Sequence, residues 1–211
     1  MARMEDVLDL YEEEYDAERP VVCFDETSKQ LIAHTRTPIE AEPGRLERID
    51  YEYRRNGTRN LFVFCEPKGG WRHVEVTERR TAVDFAAQMR WLVHEAYPDA
   101  KVVRVVLDNL NTHKLGSLYE AYEPVEARRI ARRLEFHHTP KHGSWLNMAE
   151  IELSVFSKQC LKGRLGDEET LRRNIGALER ERNAAGVTID WRFRSQDARV
   201  KLNRVYPKPK L

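Results

Sequence analysis

Cysteine is scarce in this chain. Only Cys23, Cys65 and Cys160 occur in 211 residues, odd in number, far apart and without a CxxC pair. That spacing argues against a disulfide framework or a cysteine zinc site and fits reduced, mostly buried thiols. Long apolar runs are missing too, and none approaches the roughly 20 residues that span a bilayer. The opening residues MARMEDVLDLYEEE lack the apolar core of a signal peptide, so a cytoplasmic protein with no membrane partner is expected. There is no internal repeat and no low-complexity tract. The charge carries no net excess that would name a partner, at +1 overall.

A chain of this length can bury one good core, so one domain with short appendages is expected. Charge is unevenly distributed. Residues 1–26 hold ten acids against two bases, and residues 158–211 hold fourteen bases against seven acids. A basic C-terminal quarter suits a phosphate-binding surface, and a solvated helix face would have the same composition.

The order of elements follows from periodicity and turn chemistry. Residues 1–19 read as an acidic helical lead-in with a weak stripe of Val7, Leu8, Leu10 and Tyr11, ended by Pro20. PVVCFDET is a short strand, and 28–45 a loop or excursion. IDYEYRR and TRNLFVFCE alternate about Asn56-Gly57, which predicts a two-residue hairpin turn. Gly69-Gly70 turns into a third strand, WRHVEVTE. Thr81 caps a helix reaching to Pro98. KVVRVVLD is a central strand parallel to an earlier one, 114–133 is helical with a break at Pro124, and LEFHHTP is another strand. The loop KHGSW leads into a helix from about Leu146 to Leu161, and Asp167 caps a last long helix. The sum is a mixed sheet with helices on both faces. The Pro-Lys end is expected to be disordered.

Two strands end abruptly on acids. Val102, Val103, Val105, Val106 and Leu107 form an almost unbroken apolar run that stops on Asp108, and PVVCF stops on Asp25 and Glu26. A carboxylate closing a buried strand is costly unless a metal ion, a cation or water compensates it. Glu150 and Glu152 lie on the later helix, about 160° apart around its axis, so they should not share one site. Three carboxylates gathered side by side are the signature of Mg²⁺ or Mn²⁺. Two such ions can activate a water or hydroxyl and stabilise a phosphodiester's leaving oxygen. Asp, Asp, Glu alone is an unspecific pattern among 35 acids.

The flanking residues are specific. FDET around Asp25, LDNLNTH around Asp108 and HTPKHGSWLNMAEIE around Glu150 follow on strand, strand and helix. Together they resemble the catalytic domain of DDE transposases of the IS630 type, in the IS630/Tc1/mariner superfamily. That pattern is DE after the first strand, DN…H after the fourth, and W…LN..E leading into a helix. The resemblance covers about residues 18–207 and implies an α/β, RNase H-like fold: a mixed five-stranded sheet of three antiparallel and two parallel strands. It implies that Asp25, Asp108 and Glu150 are the catalytic carboxylates holding two Mg²⁺ or Mn²⁺ ions, with Glu150 chosen over Glu152 by the LN-x-x-E spacing. It further implies cleavage and 3′-end joining of double-stranded DNA at TA targets, a homodimeric working complex and a nucleoid location. The domain would run over 20–190, with 28–56 as an excursion and hairpin strand in the position of an inter-subunit clamp loop. Residues 1–19 would be a linker and 191–211 a basic tail.

The chain departs from the commonest pattern in having 41 residues between Asp108 and Glu150 and Met148-Ala149 in place of Pro-Ile. No helix-turn-helix module precedes the first strand, so a separate polypeptide supplying one, or a truncated copy, is expected. Two alternatives share these residues: a catalytically silent DNA-binding remnant and an RNase H-like nuclease.

Each supporting residue has a plainer reading. Glu26 is a fourth ligand or, more simply, an exposed partner of an arginine. Asn109 and His113 orient a carboxylate, contact DNA or cap a helix. Asn147 belongs to the LN-x-x-E motif. Trp145 is a packing anchor before it is a base-stacking platform. Lys141, Arg164, Arg172 and Arg173 are candidate phosphate contacts that a solvated helix face would also supply. His137, His138 and His142 lack zinc-ligand spacing.

Overall fold

A strand as apolar as VRVVL is stable only where both of its faces are covered. In the computed structural model, which describes residues 1–207, that strand is β4 (Val103–Leu107), and all five of its side chains are buried. Its one charged member, Arg104, donates to the Arg19 carbonyl at 2.6 and 2.9 Å and pairs with Glu13. The five-stranded sheet has the order β3-β2-β1-β4-β5. β1 (Val21–His34), β2 (Tyr53–Glu66) and β3 (Trp71–Thr77) are antiparallel neighbours, while β4 and β5 (Leu134–His138) extend the sheet in parallel from β1. The expected mixed sheet is therefore present.

Alternation along β1 divides the core. Val22 and Phe24 face one side with Phe62, Phe64, Phe85, Met89, Leu118 and Ile130, under α2 (Ala82–Trp91), α3 (Gly116–Ala121) and α4 (Pro124–Ala131). Phe24 lies 5.0–5.8 Å from Phe62, Phe64 and Phe85 by ring centroids. Each such ring contributes roughly 2–3 kcal/mol of burial. On the other side Cys23 and Val106 meet Leu8, Tyr11, Leu146 and Met148, while Leu61, Val63 and Val74 meet α5 (Ala149–Gln159) and α6 (Glu168–Ala184). The caps are those the sequence announces: Thr81 and Asp84 form a capping box, and Asp167 accepts from Thr170 N at 2.7 Å. Pro124 opens α4 at its first turn.

Three features differ from expectation. β1 does not stop at Asp25 but continues to His34, because after Cys23 it loses β4 yet keeps β2 as a hydrogen-bonding partner. Residues 28–34 are thus strand, not loop. Asn56-Gly57 does not turn the chain, since β2 passes straight through it. Gln30 pairs with Thr58 and Ile32 with Arg55, so β2 carries one extra residue there, with Gly57 at φ +94°. A β-bulge uses the same positive φ as a hairpin turn, and the dipeptide alone does not distinguish them. Gly57→Val is expected to lower stability by about 1–3 kcal/mol, measured by denaturant unfolding.

The third difference is in how the N-terminus packs. The acidic lead-in is helical as expected, over α1 (Ala2–Glu12), but its stripe is part of the core, with Met4, Val7, Leu8, Leu10 and Tyr11 buried. Tyr11 Oη donates to the Leu146 carbonyl at 2.8 Å. The basic C-terminal segment adds α7 (Ser195–Lys201), tied to α1 by Ser195 to Asp9 at 2.6 Å and Arg199 to Glu5 at 2.7 Å. The end expected to be disordered falls largely on 208–211, outside the described residues.

Candidate active site

The site forms where β1 and β4 part. Their parallel pairing covers only Val21–Cys23 of β1. Beyond it, Asp25 continues the Cys23 face of β1, and Asp108 follows the last residue of β4. No backbone ladder fills the opening, so polar side chains reach solvent there. Asn147 brings in α5. Its Nδ2 donates to the Phe24 carbonyl at 2.8 Å and to Asp25 Oδ2 at 3.4 Å, and its Oδ1 accepts from Ala149 N at 3.2 Å. One buried amide thus fixes the first turn of α5, with Glu150, against the strand bearing Asp25.

The electrostatics show which groups converge. Burial pushes the half-buried Asp25 carboxyl up, and the hydrogen bond from Glu26 N at 2.8 Å lowers it. The charges of Glu150, Asp108 and Glu26 then add to the rise, leaving its pKa at about 7 against an ordinary 3.8. Both proposed partners therefore act on Asp25.

His113 is 1% exposed and lies between two carboxylates, with Nδ1 2.5 Å from Asp108 Oδ1 and Nε2 2.8 Å from Glu26 Oε2. Its ring packs against Phe24 and Phe85, with centroids at 5.3 and 4.8 Å. Burial opposes charge on the ring, but the hydrogen bonds to Asp108 and Glu26 outweigh it and raise its pKa to about 9. A charged imidazolium therefore orients Asp108 at neutral pH. Glu26 is buried, not exposed, and His113 is its near partner. Arg80, which no motif pointed to, lies at 3.8 Å.

Glu150 and Glu152 separate cleanly. Glu152 is fully buried and engaged by two arginines, Arg182 at 2.8 and 3.1 Å and Arg72 at 3.4 Å. Glu150 is exposed and makes no side-chain hydrogen bond or ion pair among the described residues. The Arg72 network escaped the reading of the sequence, yet a signal exists. Arg72 shares the inward face of β3 with Val74 and Val76, where an arginine requires a buried acid.

The outer residues sort by whether they are already engaged. Asn109 and Lys141 line an open groove of about 400 Å³ beside Asp108, with Thr139, His142 and Ser144. Arg173 is exposed and, among the described residues, its side chain bonds only Thr170 Oγ1, at 3.3 Å. Arg164 is committed to the Glu52 and Tyr51 carbonyls at 2.9 and 3.3 Å, and Arg172 to Glu168 at 2.8 Å and Glu75 at 3.3 Å. Trp145 is 47% exposed and stacks on Trp191 at 6.4 Å, an anchor with one edge open. His137 is held by Asp6 and Glu135, each at 2.9 Å, and His138 by the Asp108 carbonyl at 3.1 Å.

Among the described residues, no three His, Cys, Asp or Glu side chains stand close enough to hold a metal ion as they are. Asp25, Asp108 and Glu150 fit a hard divalent cation by donor type and charge. All are oxygen donors, none is ion-paired to lysine or arginine among the described residues, and burial, with the neighbouring carboxylates adding to it, raises the pKa of Asp25.

Several solved structures share the fold. The Mos1 mariner paired-end complex with Mn matches at 17% identity and TM-score 0.51 over 90% of this chain and 62% of that one. The Mos1 strand transfer complex matches at 15% and 0.53 over the same shares, and a pre-cleavage Mos1 transpososome at 16% and 0.50, over 90% of this chain and 64% of that one. The chain thus spans less than two thirds of the length of these structures. No curated protein matches it. The fold is the RNase H-like fold of these mariner structures. The family model of DDE superfamily endonucleases matches residues 20–172, well over half of the sequence, and the chain belongs to that superfamily.

Proposed function

We propose that this chain is the catalytic part of a DDE transposase, cutting DNA strands at element ends and joining the freed 3′ ends to a target at TA steps. The observation that carries this reading is the gap where β1 and β4 part, with Asp25 and Asp108 at its two sides and Asn147 mooring the start of α5, and so Glu150, against Asp25. Asp25, Asp108 and Glu150 would hold two Mg²⁺ or Mn²⁺ ions, which supply charge neutralisation at the scissile phosphate and a lowered pKa for the attacking oxygen. His113 aims Asp108 through their 2.5 Å contact, and Asn147 fixes the distance between β1 and α5. Water is the first nucleophile and a terminal 3′-hydroxyl the second, so no covalent link to the protein is needed.

The Mos1 structures, described as a paired-end complex with Mn and a strand transfer complex, support DNA as partner and Mn²⁺ as a usable ion. A homodimer is the proposed working state. A separate helix-turn-helix polypeptide is proposed to find the ends, with action at the nucleoid. The test is Asp108→Asn in a Mn²⁺-dependent plasmid nicking and joining assay. Loss of about 10³-fold or more in rate is expected, near 4 kcal/mol of transition-state stabilisation. Survival of nicking would sink the triad. Binding of end DNA by the native chain without any nicking would favour the silent remnant.

A further inference from the structure

A second groove, of about 300 Å³, opens beside Glu150 and runs away from the carboxylates between β1 and α5. Two rows of side chains wall it. Thr27 and Lys29 line it from β1, on the face that Asp25 begins outside the groove. Glu150, Ser154 and Ser157 stand at i, i+4 and i+7 on α5, within about 60° of arc. Both serines are exposed, and serine is a poor choice for an exposed helix position on propensity alone. They make the helix ridge low and offer hydroxyl donors where long side chains would fill the groove.

The far end carries charge. Lys29 Nζ donates to the carbonyls of Leu161 at 2.7 Å and Gly163 at 3.2 Å, and no carboxylate pairs with it among the described residues. Two of its three N–H donors are taken by these carbonyls, so a fixed ammonium with one donor left and no counter-ion among the described residues, approached through hydroxyls, suits a phosphodiester oxygen. Its positive end also balances the carboxylates at the near end.

We infer that this groove is a binding subsite for the sugar-phosphate backbone of one DNA strand as it leaves the reacting phosphate, with Thr27, Ser154 and Ser157 as donors and Lys29 as the terminal cation. The inference rests on the proposed DNA chemistry and adds a strand path to it.

The test uses the full chain with Mn²⁺, reading affinity for fluorescein-labelled oligo(dT) and kinetics of plasmid nicking. Ser154→Glu combined with Ser157→Glu places like charge along the path without touching the core. About tenfold weaker oligo(dT) binding is expected, with KM for nicking raised, kcat retained and the unfolding midpoint unchanged. Ala177→Glu combined with Val125→Glu, at exposed positions of α6 and α4, adds the same two charges and should bind as the native chain does. Native-like affinity in the double variant overturns the groove while leaving the nuclease reading intact. A native chain that binds oligo(dT) but never nicks, with binding still lost in the double variant, upholds the groove and removes the catalytic reading. A native chain that does not bind oligo(dT) overturns the groove.

Discussion

Asp25→Asn should abolish cleavage and, in metal-free buffer above pH 7, make the protein more stable. The native Asp25 carboxyl holds its proton up to about pH 7, whereas in the unfolded chain it releases it near 3.8. Between those values the native state binds more protons than the unfolded state, so stability falls as pH rises and the loss is complete above about 7. That difference corresponds to roughly 4 kcal/mol before solvent relaxation reduces it. The uncharged amide escapes the penalty. A gain of about 1–3 kcal/mol is therefore expected at pH 8, shrinking to nothing near pH 4, in urea titrations of both proteins. Nicking should fall about 10³-fold or more at every pH. For the native chain, Mn²⁺ must displace the Asp25 proton, so Mn²⁺ affinity should weaken about tenfold per pH unit below 7. Equal stability of the two proteins across this range would show that burial and the neighbouring carboxylates do not raise the Asp25 pKa.

The second large effect concerns the two glutamates on α5. Glu152→Ala leaves Arg72 as an uncompensated cation with no exposure and should destabilise the fold by about 3–5 kcal/mol. Glu150→Gln removes an exposed, unpaired acid, so stability should stay within about 0.5 kcal/mol while nicking is lost. Thermal unfolding beside the nicking assay separates them. If Glu150→Gln were the variant that unfolded, their roles would be reversed.

Which parts were legible beforehand follows from where each signal resides. Asp25 and Asp108 stood out because an apolar run breaking on an acid is a local pattern. The choice of Glu150 needed the family motif, since apolar neighbours flank both glutamates, and only tertiary contacts show Glu152 turned inward to Arg72 and Arg182. His113 was recognisable as a possible orienting group, but its link to Glu26 joins residues distant in sequence. Asn56-Gly57 misled because bulge and turn demand the same backbone angle, and only β1's pairing decides between them. Helix α1 looked like a linker because its dense acids dilute the apolar stripe. The fold nevertheless buries that whole stripe.

That helix also sets where this chain can be cut. The family match begins at residue 20, and trimming a gene there would look safe on an alignment. Yet Tyr11 grips the Leu146 carbonyl, one residue before the asparagine that moors α5. The first twelve residues act as a doorstop behind α5. Any fusion or truncation that displaces them loosens Glu150 through the apolar layer that α1 and the start of α5 share on one side of the sheet.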